Sequence, residues 1–491
     1  MPTQTVVIGV DSSTQSAKAA FIDAGTGRTL AVGRAPHQVT GENGARESDP
    51  EVWWQALRDA VAMGLKESGL AASAVRGIAV AGQQHGLVVL DRAGQPVRPA
   101  LLWNDTRSAP QAAALTEALG GPDAWTARTG SVPVASMTAA KWQWLRDHEP
   151  RAAEAAAAIR LPHDFLTERL AGVAATDPGD ASGTCWYSTA TGAYDPGLLR
   201  LIGLDTGLLP EVAATGGVRV GSLTAAAAAE LGLTAGIAVA AGTGDNMAAA
   251  VGLGLGGAGL LDHPALSLGT SGTVFAASRT RPASTVLAGF AAADGTYLPL
   301  ACTLNCTVAV DKIAGLLGLH RDTAEAGGEV VLLPYLDGER TPDLPAASGL
   351  LTGLRHTTSR QQLLGAAYEG AVVTVLRALD EVLRACGLDP ADGEVAARPL
   401  RLVGGGAKGR HWVETVRRLS GRPLLIPESG ELVALGAAAL AAGAATGEEP
   451  VALAGSWQAG SGAELAPVER DMETWERVSA VLERAAPTLL G

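Results

Sequence analysis

The feature that most limits the fold of this chain is a short structural phrase written twice. Val6 to Val10 is an apolar strand-like run that ends in Asp11-Ser12-Ser13-Thr14-Gln15-Ser16, and Ala17 to Asp23 reads as the returning strand. Roughly 260 residues later, Ala265 to Leu268 leads into Gly269-Thr270-Ser271-Gly272-Thr273, and a strand follows through Val274 to Ala277. A strand, a tip of small residues and a second strand, repeated at that distance, predicts two related halves. Small hydroxyl residues at such tips can give backbone and side-chain hydrogen bonds to phosphate oxygens, and Asp11 can bind Mg²⁺ directly or through water. Taken alone, the first loop is as readily an ordinary polar turn.

Length agrees with a doubled architecture, because 491 residues exceed one ordinary core and predict two domains, here 1–246 and 247–491. A hydrophobic content of 47% with 18% charged residues describes a globular protein. The formal net charge of −13 and the lack of any basic run argue against nucleic acid as a partner. An anionic ligand must then be held locally, by backbone N–H groups, helix N-termini or a divalent cation. Uncharged stretches fall short of the roughly 20 residues that a spanning helix needs, so no membrane is expected. The start of the chain has no basic region and no apolar core of a secretion signal, so a cytoplasmic address is expected. Cys185, Cys302, Cys306 and Cys386 lack the spacing of a zinc site and are expected to be buried thiols.

Candidate chemistry lies where apolar runs end. In Ile237 to Met247 a short apolar run ends on Gly242 and Gly244 and then presents Asp245 and Asn246 at a helix start. Glycines there allow a ligand close to the backbone, and a held aspartate can take a proton from an attacking hydroxyl. The competing reading is a helix cap, a role for which Asp is preferred. Gln83-Gln84-His85-Gly86 follows a strand over Gly77 to Ala81 and suits a small polyhydroxy ligand, although a lone histidine is more often structural. Leu101 to Arg107 delivers Trp103, Asn104 and Asp105 into a loop, the mixture a sugar site wants. The alternative there is a core tryptophan and an Asp105–Arg107 surface pair. Ser48-Asp49-Pro50-Glu51 starts a helix running through Trp53, Leu57, Val61 and Leu65. Ala152 to Ala158 and Ala225 to Ala229 read as helical filler.

A third glycine cluster, Gly404-Gly405-Gly406-Ala407-Lys408-Gly409, follows the strand Leu400 to Val403 and precedes a helix, a strand and Glu428. This order also fits the dinucleotide fingerprint, which makes an NAD enzyme a competitor, although that reading leaves both hairpins unexplained. No P-loop pattern occurs.

Together, Asp11 to Ser16, Gly269 to Thr273 and Gly404 to Lys408 resemble the two phosphate loops and the adenosine loop of the actin-like ATPase (ribonuclease H-like) fold. Ser136 to Leu145 resembles the first signature of the FGGY carbohydrate kinases, and Gly349 to Leu354 continuing to Glu369 resembles the second. The similarity runs from about Val6 to Leu440. It implies an α/β protein of two related domains with a cleft between them, ATP and Mg²⁺ as cofactors, and a small-molecule sugar as substrate. A homodimer is the assembly left open.

Within the family, Gln83 to Gly86, Leu102 to Asp105 and Leu333 to Pro342 look most like the xylulokinases, which implies transfer of the ATP γ-phosphate to the 5-hydroxyl of D-xylulose. Asp245 is then the base. Gln84, His85, Trp103, Asn104, Asp105, Asp245 and Asn246 face sugar, and Asp11 serves Mg²⁺. Ser13, Thr14, Gln15, Gly269, Thr270, Ser271, Gly272 and Gly404 to Lys408 hold nucleotide. Gln84 stands where the family commonly has methionine.

Overall fold

The computed structural model describes residues 5–257, 259–344 and 346–487, and these divide into two compact units. The first holds 1–261, 277–298 and 431–460, and the second holds 262–276, 299–430 and 461–491. This differs from a single break after 246. The helix that begins at Asp245 is welded to the first unit by a second helix, Leu432–Thr446, that returns from late in the chain. Gly252 and Gly436 lie against each other's helix backbones, an approach that a Cβ on either would block.

In the first unit, β1 (Val6–Ser12) and β2 (Ser16–Asp23) form the expected hairpin, and β3 (Thr29–Pro36) pairs antiparallel beyond β2. Helix α1 (Pro50–Ser68) starts where Asp49 accepts a hydrogen bond from Glu51 N with Pro50 in the first turn. It buries Trp53, Leu57 and Val61 against the sheet. Strand β4 (Val75–Gly82) lies parallel to β1, and helix α2 (Pro162–Ala171) packs beside it. Strands β5 (Arg219–Ser222), β6 (Ala238–Ala240) and the two-residue β7 (Thr243–Gly244) follow, and helix α3 (Asp245–Gly252) leaves β7 directly. The sheet order is β5-β6-β4-β1-β2-β3, with β7 also parallel to β4.

The second unit repeats the plan. Strands β8 (Pro264–Leu268) and β9 (Gly272–Ala276) make the second hairpin, and β10 (Tyr297–Thr303) pairs antiparallel with β9. The long helix α4 (Arg360–Ala385) packs against β9. Strand β11 (Leu400–Val403) runs parallel to β8, helix α5 (Arg410–Ser420) crosses over, and β12 (Leu424–Pro427) is parallel to β11. Strand β13 (Gly462–Leu465) closes that edge antiparallel. Six of the seven strands of this sheet, in the order β10-β9-β8-β11-β12-β13, match the first sheet's path β3-β2-β1-β4-β6-β5 in direction, so the two hairpins are equivalent elements of two related halves.

Two local expectations need correction. The alanine tract 152–158 is not one helix, because the helix Pro150–Glu154 stops and Ala158–Arg160 pairs antiparallel with Val88–Leu90. The cysteines form no disulfide, but Cys302 is only half-buried, whereas Cys185, Cys306 and Cys386 are buried. Among the described residues no helix is long and apolar enough to cross a membrane.

Candidate active site

Three parallel strands of the first unit end at one edge. Ser12 on β1 and Gly244 on β7 both register with Gly82 on β4, so Asp11-Ser12, Gln83-Gln84-His85 and Asp245-Asn246 come off the sheet together. The carboxyl ends of parallel strands are where open α/β sheets take ligands, because side chains converge there without a neighbouring strand to cover them.

Asp245 is the first residue of α3, and the capping position belongs to Gly244, so the carboxylate is not spent on an N-cap. Its Oδ1 accepts from Asn246 N at 2.8 Å and from Asn246 Nδ2 at 3.1 Å. Loss of hydration pushes the Asp245 pKa up to about 7, helped by the negative charges of Asp11 and Asp180. A carboxyl titrating near neutrality is suited to accept a proton from an alcohol. The flanking glycines also have a packing reason. Gly242 has φ +80° and lies against the Val80 carbonyl, and a Cβ on Gly244 would stand 2.6 Å from Gln84 Cγ, so both let the strand ends pack closely.

Gln84 is buried beside Asp245. Its Oε1 accepts from Asn246 Nδ2 at 2.7 Å, and its Nε2 lies 3.1 Å from Met247 Sδ. His85 is also buried and has φ +63°, a conformation uncommon for a residue with a Cβ and maintained here by packing. Its ring lies 5.2 Å from Phe290, its Nδ1 is 3.9 Å from Asp180 Oδ1, and the absence of a side chain at Gly183 makes room for it.

Behind these residues lies a charged cluster that sequence reading missed. His163, on α2 and fully buried, donates through Nδ1 to Asp180 Oδ2 at 2.8 Å. Its Nε2 is 3.1 Å from Asp164 Oδ1 and 3.8 Å from Asp177 Oδ1. Thr243 Oγ1 donates to Asp177 Oδ2 at 2.6 Å. Burial works against the imidazolium, yet the Asp164, Asp180 and Asp177 carboxylates raise His163 to about 9, while burial lifts Asp164 and Asp177 to about 6. Only the side-chain types Pro-His-Asp and Asp-Pro-Gly-Asp signalled this, with nothing local to join them.

Asp11 is buried at the end of β1 with Lys18 Nζ at 3.3 Å, and Lys18 continues to Glu431 at 2.7 Å. Burial raises the Asp11 pKa against the pull of Lys18. At the hairpin tip Ser13 Oγ donates to Ser16 O, and Thr14 Oγ1 accepts from Trp103 Nε1 at 3.0 Å. Trp103 is therefore no core residue: it is 38% exposed and lies on the loop. Gln15 is exposed at the same tip. Asp105 is buried, and its oxygens take Arg46 N, Arg107 N and the Arg107 guanidinium, which is the paired alternative rather than an open sugar ligand. The half-buried Asn104 keeps its Oδ1 without a hydrogen-bond partner among the described residues. So do Ser12 Oγ and both amide atoms of the buried Gln83, two residues of this edge that lie within the motifs but carry no role of their own in the sequence reading.

In the second unit, β8 and β11 end side by side, so Gly269 to Gly272 and Gly404 to Lys408 leave one sheet edge as neighbours. Gly269 O accepts from Thr307 N and Oγ1, which pins the tip, while Thr270 is exposed. Gly404 has φ +86° and a Cβ there would meet Leu268 O at 2.7 Å, so this turn needs glycine to sit on the hairpin base. The chain then makes a 3₁₀ turn over Gly405–Lys408, with Gly406 and Ala407 buried and Gly405 and Lys408 exposed. Helix α5 begins only at Arg410, so the helix N-terminus that a dinucleotide fingerprint places at its glycines is displaced beyond them.

The models for the FGGY family of carbohydrate kinases match this chain twice, the N-terminal domain at 6–252 and the C-terminal domain at 265–445. The chain is 56% identical to the xylulose kinase of Streptomyces coelicolor over 99% of its own length and 97% of the relative's, and 55% identical to that of Streptomyces rubiginosus over the same shares. It also superposes on the crystal structure of xylulose kinase from Bifidobacterium adolescentis with TM-score 0.81 at 32% identity, covering 97% of this chain and 99% of that one.

Proposed function

We propose that this chain, which belongs to the FGGY family of carbohydrate kinases, phosphorylates D-xylulose with ATP to give D-xylulose 5-phosphate. The observation that carries the reading is the meeting of Asp245, Asn246, Gln84 and His85 at one strand edge, in a chain more than half identical to named xylulose kinases over nearly their full length.

The sugar hydroxyl gives its proton to Asp245 as its oxygen bonds the γ-phosphorus, and the bond from that phosphorus to the bridging oxygen breaks, leaving ADP. Desolvation holds Asp245 near neutral pKa, so it is ionised enough to accept the proton and basic enough to be useful. Asn246 donates to Asp245 and to Gln84, which aims the carboxylate and leaves Gln84 and His85 to read sugar hydroxyls. The unpaired Ser12 hydroxyl and Gln83 amide are polar groups of the same edge that a polyhydroxy ligand or water would satisfy. Nucleotide is assigned to the two hairpin tips, Ser13 to Gln15 and Gly269 to Gly272, and to Gly404 to Lys408.

Mg²⁺ fits this edge through one carboxylate only. Asp11 is the ligand assigned here, and no grouping of three His, Cys, Asp or Glu side chains among the described residues makes a metal cage. That suits a cation that arrives with phosphate and keeps most of its waters, where it would offset phosphate charge. Lys18 holds Asp11 in place meanwhile.

The test is ATP turnover by the purified chain across D-xylulose, L-ribulose, D-ribulose, glycerol and gluconate. D-xylulose should give the highest kcat/KM, and preference for another of these would move the assignment to that sugar.

A further inference from the structure

The His163 cluster lies outside the reacting groups but touches what carries them. Gly82, the last residue of β4 before Gln83-Gln84-His85, packs so closely that a Cβ would stand 2.8 Å from His163 N. Gly242, just before β7, packs on the ring, a Cβ there lying 3.2 Å from His163 Cδ2. His163 is thus wedged between two strand ends, its backbone and Cβ against the one that launches the sugar-reading loop and its ring against the one that launches Asp245. From its two nitrogens, carboxylates reach in the same two directions: Asp180 toward His85, and Asp177 to Thr243.

A histidine that merely filled the core would not need this company. Three carboxylates around one buried ring carry a desolvation cost that an apolar cluster of the same volume avoids, Asp180 Oδ1 has no hydrogen bond, and the 3.1 Å approach of His163 Nε2 to Asp164 Oδ1 lacks hydrogen-bond geometry. Retained charge of this kind is best explained by the orientation it imposes on its partners.

We infer that His163 is a positioning residue for both sides of the sugar site: through Asp180 it fixes where the His85 ring lies, and through Asp177 and Thr243 it fixes the strand end from which Asp245 leaves. This rests on the assignment of Asp245 as base and His85 as sugar ligand. The two arms separate in kinetics, since an error in His85 weakens sugar binding while an error at Thr243 misaligns the base.

The experiment compares the full chain with His163→Gln, Asp180→Asn and Thr243→Val, using the sugar that the wild-type protein phosphorylates fastest, with folding checked by circular dichroism. His163→Gln should raise the sugar KM and lower kcat by about tenfold each, with the ATP KM within about twofold of wild type. Asp180→Asn should act chiefly on the sugar KM and Thr243→Val chiefly on kcat. A folded His163→Gln protein with wild-type constants, or one whose ATP KM rises as much as its sugar KM, overturns the inference. Should His163→Gln not fold, the other two variants decide, and the same constant moving in both overturns it. A wild-type protein that phosphorylates none of the sugars ends the functional reading itself, and the inference with it, before any variant is measured.

Discussion

Gln84 Oε1 accepts a 2.7 Å hydrogen bond from Asn246 Nδ2, and through that bond the loop leaving β4 is tied to the residue that follows Asp245. On the proposed reading, sugar recognition and the orientation of the Asp245 carboxylate therefore share one amide. Replacing Gln84 by Ala removes the acceptor and leaves the Asn246 amide with Asp245 alone. We expect kcat/KM for the sugar to fall by about fivefold, the worth of about one hydrogen bond, with the ATP KM unchanged. Steady-state kinetics with each substrate varied in turn checks this.

Asp245→Asn should keep the fold and nucleotide binding and lower kcat by about 10² or more, the scale of a positioned general base. In the wild-type protein the base is lost by protonation. Because Asp245 titrates near 7, kcat/KM for the sugar should fall as pH drops below about 7 and level off above it. A rate flat between pH 5.5 and 8, those bounds being roughly the range in which such a group changes charge, would remove Asp245 from the proton transfer.

The same carboxylate should weaken the fold. Its pKa in the folded chain lies above the 3.8 of an unperturbed aspartate, so the folded state binds the extra proton and loses stability as pH rises from about 4 to about 7. Asp245→Asn lacks this loss. Its Tm should exceed that of wild type at pH 8, and the difference should shrink toward zero near pH 4. Differential scanning calorimetry at both pH values reads the two outcomes.

What could be read from sequence was local or repeated. The two hairpins, the strand ends at Gly82 and Val403, and the capped helix at Asp49 are each set by a few consecutive residues, and the structure has them within one or two positions. What escaped depends on residues distant in the chain. Glu431 reaches Lys18, Trp103 reaches Thr14, and Asp180 lies between His85 and His163, contacts that no periodicity announces. The surroundings of Asp105 are hidden for the same reason, since Arg46 N, which joins Arg107 on its carboxylate, comes from a separate loop. The glycines at 242 and 244 stand out in the sequence, and the structure adds a packing reason for them, the Val80 carbonyl against the first and the Gln84 side chain against the second.

Asp11→Ala should raise the Mg²⁺ concentration needed for half-maximal activity, because it removes the carboxylate beside the tip of the first hairpin while leaving Lys18 paired with Glu431. An effect on kcat with no shift in the Mg²⁺ titration would assign Asp11 to charge balance with Lys18 instead.

His85 offers the sharpest separation of substrate from nucleotide. It is buried, sits at φ +63°, and is bounded by Phe290, Gly183 and Asp180, so its ring has little freedom to adapt to a smaller ligand. A site whose buried polar groups are matched to a ketose leaves them unpaired when a ligand lacks the corresponding hydroxyls, and that penalty, more than any attraction, separates the substrates. Glycerol should accordingly be a poor substrate of the wild-type protein. His85→Ala opens the pocket to water, which can satisfy what the sugar no longer does, so kcat/KM for D-xylulose should drop by about tenfold or more while glycerol changes little. Discrimination between the two is thereby compressed. The ATP KM should stay within about twofold, because the segments assigned to nucleotide are other parts of the chain. Competition assays with both substrates present measure the ratio directly, and an unchanged ratio in folded His85→Ala would place the specificity of this site elsewhere on the strand edge, with Gln83 the next residue to vary.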